Sequence, residues 1–148
     1  MLRFFEALER AAPEKIKLFE YGRTWEGRKL IYAAIGNRDV MANLDGFADK
    51  MQKLSDPRIT DKSAAKALIA QLPSSVWLGY GVHGNEISST DAAMMTAYHL
   101  LAAPNEATNR KILKNTLVFI DPLQNPDGRN RFTSRYYATV GMQHSDDR

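Results

Sequence analysis

The 148-residue sequence contains no cysteine. That excludes a disulfide framework and a thiolate zinc site, but it does not separate cytoplasm from periplasm, because many exported proteins also lack cysteine. Long apolar runs are missing too. No stretch reaches the ~18 apolar residues of a membrane span, and the opening MLRFFEALERAAPEK carries acids where a signal peptide needs an uninterrupted apolar segment. A surplus of one charge is equally absent. The 20 basic and 17 acidic residues give a formal net charge of +3 and alternate along most of the chain, so no nucleic-acid footprint is read. The expectation is a soluble chain with neither nucleic acid nor membrane as partner. What is present is 44% hydrophobic residues over the length of one ordinary domain, enough to bury a real core. There is no internal repeat and no low-complexity segment.

The apolar periods give alternating elements. Leu2, Phe5 and Leu8 fit a short amphipathic helix stopped by Pro13. KIKLFEYG and KLIYAAIG read as two strands joined by RTWEGR, an antiparallel hairpin with Gly22 and Gly27 suited to its turn. From Asp39 to Leu72 the pattern is a helix, a loop at Asp56-Pro57 and a second helix, AAKALIAQL, with Ser63 as its cap. Ser75 to Val82 reads as a buried strand. Ile87 to Ala103 reads as a helix with Ile87, Met94, Tyr98 and Leu101 on one side, ended by Pro104. TLVFIDPL is another buried strand, and the segment after NPDGRNRF shows no clear period. Strands separated by helices imply an α/β fold, a mixed β-sheet with helices on both faces, opened by the hairpin.

In such sheets ligands gather at the carboxyl ends of strands. Two polar, turn-rich segments fall there, His83-Gly84-Asn85-Glu86 after one buried strand and DPLQNPDGR after the other. A neutral imidazole and a carboxylate are both good zinc ligands, and a catalytic zinc site has three protein ligands and one open position. His83 and Glu86 on one strand-to-helix turn could hold one corner of such a site. Gly84 would let the backbone pass close to the metal, and Glu86 at a helix start would be favoured by the helix dipole. Taken alone, H-x-x-E is equally a capping residue beside an incidental histidine.

YGRTWEGRKLIYAAIG, WLGYGVHGNEISS and FIDPLQNPDGR, in that order and at these spacings, resemble the zinc carboxypeptidases, the metallocarboxypeptidase family. The resemblance runs from about Tyr21 to Arg135. It implies that His83 and Glu86 are zinc ligands. It also implies a carboxypeptidase-like (zinc exopeptidase) fold with an eight-stranded mixed sheet, and hydrolysis of the peptide bond next to a free C-terminal carboxylate. Members of that family run to about twice this length. Their second half supplies a third zinc-binding histidine, an Asn-Arg pair for the substrate carboxylate, a tyrosine that closes over the substrate and a general-base glutamate, and no matching motif for these is found here. The chain therefore reads as a truncated, N-terminal portion of a catalytic domain, residues 1–148, inactive alone and binding Zn2+ weakly if at all. With half the sheet missing, an exposed edge would favour self-association. Members are often secreted or periplasmic.

The same resemblance makes Arg135 the candidate for the arginine that polarises the scissile carbonyl, with Arg131 and Arg129 as runners-up. Asn130-Arg131 lies too close to Asn125-Pro126-Asp127-Gly128 to be the carboxylate-binding pair. Asn125, Asp127 and Gly128 read as a structural loop beneath the site. His144 reads as a solvated tail residue, and His99, thirteen residues beyond Glu86, as pointing away from it. Met94, Met95 and Tyr98 are expected in the core, Arg23 and Arg28 exposed, and Trp25 packed over the hairpin turn. Two other readings share these features: a non-catalytic binding module that kept the fold, and an N-acyl amino acid amidohydrolase of the aspartoacylase or succinylglutamate desuccinylase type. EGR and NPDGR favour the peptidase over the latter.

Overall fold

A computed structural model describes residues 1–103 and 105–141. Elements follow the order α1 (Leu2–Ala11), β1 (Ile16–Arg23), β2 (Lys29–Ile35), α2 (Arg38–Met41), α3 (Leu44–Ser55), α4 (Lys62–Ile69), β3 (Ser74–Gly79), α5 (Ser88–Ala102), α6 (Ala107–Asn115), β4 (Thr116–Asp121) and α7 (Pro126–Thr139). The four strands form one mixed sheet in the order β1-β2-β4-β3. β1 and β2 make the expected antiparallel hairpin, β2 runs antiparallel to β4, and β3 runs parallel to β4.

The pleat sorts side chains onto two unlike faces. Ile16, Ile31, Ala33, Ile35, Val118 and Ile120 point to one side, where Phe5 of α1, Ala93, Ala97 and Leu100 of α5 and Leu113 of α6 close a buried core. The other side is aromatic. Phe19 stacks on Tyr32 at 5.0 Å between ring centres, Trp77 stacks on Phe119 at 5.7 Å, and Phe47 of α3 reaches Phe119 at 6.4 Å. Helices thus lie on both faces, as the alternation of elements implies. Glu9 fixes α1 to the outer strand, its Oε1 accepting from the Leu18 amide at 2.8 Å.

Several expectations need correction. The strand expected to be buried from Ser75 to Val82 is β3, an edge strand paired on one side only, and Val76 and Trp77 are 38% and 51% exposed. The inner face of α5 is Thr90, Ala93, Ala97 and Leu100, where the two alanines let the helix axis approach the sheet. Met94 and Leu101 flank that face, whereas Tyr98, Met95 and Ile87 are exposed. The cap of α4 is Asp61, whose side chain accepts from the Ala64 amide at 2.8 Å, and not Ser63. The segment without a clear period is a helix, α7, polar on most sides, so capping and not apolar spacing marks its start.

Candidate functional site

Beyond the last residues of β3 and β4 the two chains stay laced together. Tyr80 N donates to Asp121 O at 2.9 Å, Gln124 N to Tyr80 O at 2.9 Å, and Asn125 N to Gly81 O at 3.0 Å. Gly81 turns the chain with φ of +64°, and any side chain there would run into Leu123. The loop then bends through His83 to Glu86, the Glu86 amide donating to His83 O at 3.2 Å, and α5 begins at Ser88. His83 and Glu86 are exposed, and neither side chain has a hydrogen-bond or ion-pair partner among the described residues.

The two motifs meet through a pair of glycines. A Cβ placed on Gly84 would lie 2.1 Å from the carbonyl carbon of Gly128 and 2.4 Å from the Arg129 nitrogen. The His83–Glu86 loop therefore rests directly on the first turn of α7, and the absent side chain of Gly84 makes room for that backbone. This contact is what Gly84 does in the structure. Asn125 starts the helix: its Oδ1 accepts from the Gly128 amide at 2.9 Å while its Nδ2 donates to Val82 O at 3.2 Å. Pro126 occupies the first helical position, where its missing amide is no loss. Arg129 Nη1 donates to the Ile87 carbonyl, tying α7 to the residue after Glu86.

Asp127 brings in the third motif. Its Oδ1 accepts from Thr24 Oγ1 at 2.9 Å and from the Arg28 guanidinium, and its Oδ2 accepts from the Glu26 amide at 3.2 Å. Thr24 Oγ1 in turn accepts from the Arg28 amide at 3.0 Å. Desolvation pushes the Asp127 carboxyl up, but the bonds from Arg28, Thr24 and Glu26 outweigh it and hold the group below its ordinary value. Arg28 is thus half-buried and engaged, contrary to the exposed arginine expected, while Arg23 is exposed as expected. Trp25 does not pack over the turn. It is fully exposed, because the turn is held from beneath by Asp127 and not from above by an aromatic ring.

Sequence reasoning missed a further buried pair. Asp121, at the end of β4 on the aromatic face, is buried, and its Oδ2 accepts from the Tyr21 hydroxyl at 2.8 Å. Burial raises the Asp121 carboxyl, with Tyr21, Gln124 and the Leu123 amide pulling part of the way back. Desolvation and the bond to Asp121 push the Tyr21 phenol up to about 12, so it remains a neutral donor. The one available signal was an acidic residue ending an apolar strand.

The remaining candidates are scattered. His99 pairs with Glu106, Nε2 to Oε2 at 3.0 Å, at the far end of α5. Arg131 and Arg135 lie one turn apart on α7, both exposed. His144 lies outside the described residues. Among the described residues no group of three His, Cys, Asp or Glu side chains converges, so His83 and Glu86 match a zinc ion in donor chemistry and fall short in number. A shallow cleft lined by Val40, Phe47, Lys50, Leu72 and Pro73 opens at the opposite end of β3. No helix among the described residues is long and apolar enough to cross a membrane.

Comparison with known proteins gives one family. The family model for zinc carboxypeptidases matches residues 1–146. No curated protein matches the sequence. Among solved structures, the carboxypeptidase A of Helicoverpa armigera superposes with a TM-score of 0.58 at 19% identity, over 89% of this chain and 25% of that one. A metallo-carboxypeptidase from Burkholderia cenocepacia gives 0.57 at 20% identity, over 86% and 26%. Bovine thrombin-activatable fibrinolysis inhibitor, solved in complex with a tick carboxypeptidase inhibitor, gives 0.57 at 13% identity, over 90% and 32%. The fold is that of the carboxypeptidases, and the chain spans about a quarter to a third of the length of these structures.

Proposed function

The chain belongs to the zinc carboxypeptidase family, and from that premise we propose that it is the N-terminal portion of a zinc-dependent catalytic domain that removes C-terminal residues from peptides. The observation that carries this reading is the seating of the His83–Glu86 loop on the Asn125–Gly128 turn at the ends of parallel strands. His83 through a neutral imidazole nitrogen and Glu86 through its carboxylate would hold the metal. When bound, zinc supplies Lewis acidity toward a carbonyl and lowers the pKa of bound water to about 7. The chain's own contribution beyond ligation is positive charge for the oxyanion that forms at the scissile carbonyl, from Arg135 first and Arg131 second. Arg129 is a further candidate, and its guanidinium also donates to the Ile87 carbonyl. A peptide with a free C-terminus is the substrate class this reading implies, and the third ligand, the general base and the carboxylate-binding pair would come from further polypeptide.

A binding module that kept the fold without the full ligand set is the second reading, favoured by the two-donor site. Zinc calorimetry at neutral pH separates the readings together with peptide hydrolysis. Two ligands give weak zinc binding, no tighter than about micromolar, that disappears in His83→Ala and Glu86→Ala. This chain alone leaves peptides uncleaved, and a protein lengthened by the coding sequence after Arg148 cleaves them. A lengthened protein that is zinc-loaded through His83 yet cleaves neither peptides nor N-acyl amino acids would overturn the hydrolase reading in favour of the module.

A further inference from the structure

We infer that Arg28 and Asp127 are positioning residues for the His83–Glu86 loop, acting on it through the first turn of α7. This rests on the proposed metal role of His83 and Glu86 only for its functional consequence; the mechanical coupling stands on the contacts alone.

An isolated ion pair at a protein surface typically contributes little. Three features set Arg28–Asp127 apart. Asp127 collects three donors from one five-residue stretch, Thr24 Oγ1, the Glu26 amide and the Arg28 guanidinium, so it holds a whole turn and not one flexible side chain. It does so from the first turn of α7, where a negative charge also complements the helix dipole. Next along that turn, Gly128 is the residue against which Gly84 packs, backbone to backbone, with no side chain between to absorb a shift. A displacement of the first turn of α7 must therefore be followed by the loop that carries His83 and Glu86 one residue before and two residues after Gly84. The opposite side of that turn is fixed by Asn125, bonded to Gly128 N and to Val82 O. The loop is thus clamped between β3's exit on one side and the hairpin turn on the other. Arg28 belongs to no apolar pattern and touches neither ligand, yet it is the outer anchor of this assembly.

The test uses the full chain and zinc as the probe, with three measurements on each variant. These are zinc affinity by competition with a chromophoric chelator, amide hydrogen exchange at Glu86 and Ser89, and the urea midpoint of global unfolding. The Glu86 amide is hydrogen-bonded within the loop, to His83 O, and the Ser89 amide ties the first turn of α5 back to Glu86 O. Asp127→Ala and Arg28→Ala are expected to weaken His83-dependent zinc binding by roughly three- to tenfold, at or below the scale of losing a group bonded directly to a metal ligand, because neither residue touches His83 or Glu86. Exchange at the two amides should quicken beyond what the change in global unfolding accounts for. Arg28→Lys, which keeps a cation, and Asp127→Asn, whose single amide oxygen keeps an acceptor for Thr24 Oγ1, should recover part of both effects, a recovery that general destabilisation would not give. Zinc affinity within twofold of wild type together with unchanged exchange would overturn the inference. If the wild-type chain binds no zinc through His83, the metal reading fails, and the exchange data still decide the clamp: faster exchange in the alanine variants upholds it, unchanged exchange overturns it. Should either alanine variant fail to fold, the Lys and Asn variants carry the same comparison at smaller amplitude.

Discussion

Replacing Gly84 by alanine tests whether the two motifs are pressed together as tightly as the structure has them. The new methyl would start 2.1 Å from the Gly128 carbonyl carbon, against the ~3.5 Å of an ordinary carbon contact. One backbone must therefore retreat by more than about an ångström, and no flexible side chain lies in between to yield. Overpacking of this kind costs typically 1–3 kcal/mol, and the unfolded-state gain from removing a glycine returns only about 0.4–1 kcal/mol. The net expectation is a loss of roughly 1–2 kcal/mol, or about 2–8 °C in Tm for a chain of this size. Two glycines in the hairpin supply internal controls. Gly22 has nothing nearer than Leu30 Cδ1 at 4.0 Å, so Gly22→Ala should be neutral or slightly stabilising. Gly27 is in open space but at φ of +78°, so Gly27→Ala should cost about 1–2 kcal/mol from the backbone alone. Urea unfolding of the three variants gives the comparison. Gly84→Ala as stable as Gly22→Ala would refute the close approach of the two loops, and with it the common site.

Asn125→Ala removes both the α7 cap and the bond to Val82 O, and should cost about 1–2 kcal/mol in the same assay, with Asn125→Asp recovering the cap component. The Asp121 and Asp127 carboxyls should respond to pH in opposite senses. Asp121 is raised in the fold, so its stabilising contribution is complete below the unfolded value and lost as pH rises through the folded one. Asp121→Asn should accordingly be more stable than wild type near pH 7, with the advantage vanishing toward about pH 4. Asp127 is lowered, so its contribution is present above the unfolded value and lost as pH falls through the folded one, which Asp127→Asn should abolish. The open edge of β3, a strand without charge or proline, should pair with a second copy, and Trp77→Lys should weaken that association by about tenfold or more in sedimentation analysis. Since Trp25 is fully exposed, a concentration-dependent blue shift of tryptophan emission would report Trp77; a monomer with constant emission up to high concentration would count against pairing.

The alternation of elements was legible wherever an element carries its own period, which α7 does not. Ile31, Ala33 and Ile35 on one side of β2 and Tyr32 on the other specify a strand with two covered faces, and the residues of RTWEGR allow only a turn between β1 and β2. Burial of β3 was not legible. VWLG is as apolar as any central strand, and whether it lies inside depends on what pairs with its second edge, which no local pattern encodes. The inner face of α5 was misread for a related reason. Large residues such as Tyr98 dominate a hydrophobic period, but close approach to the sheet selects the alanines, and the larger side chains are left at the margin.

For the site, the limit lay in sequence distance. His83, Glu86, Asn125 and Gly128 stood out because each sits in a short motif with its own chemistry, and the strand ends suggested that the motifs share one edge. Arg28 stood out for nothing: in a polar turn between two strands an arginine reads as solvated, and its partner lies ninety-nine positions away. The same holds for Tyr21 and Asp121, one hundred positions apart. In each pair one member is an ordinary turn or strand residue, and only the antiparallel placement of β2 beside β4 brings the hairpin to the α7 side of the sheet. The residues that could bind metal are therefore readable from local pattern, while those that hold them in place are fixed by the order of strands. Placing β2 beside β4 puts the turn of one motif under the helix of another, and that step makes three separate loops into one candidate site.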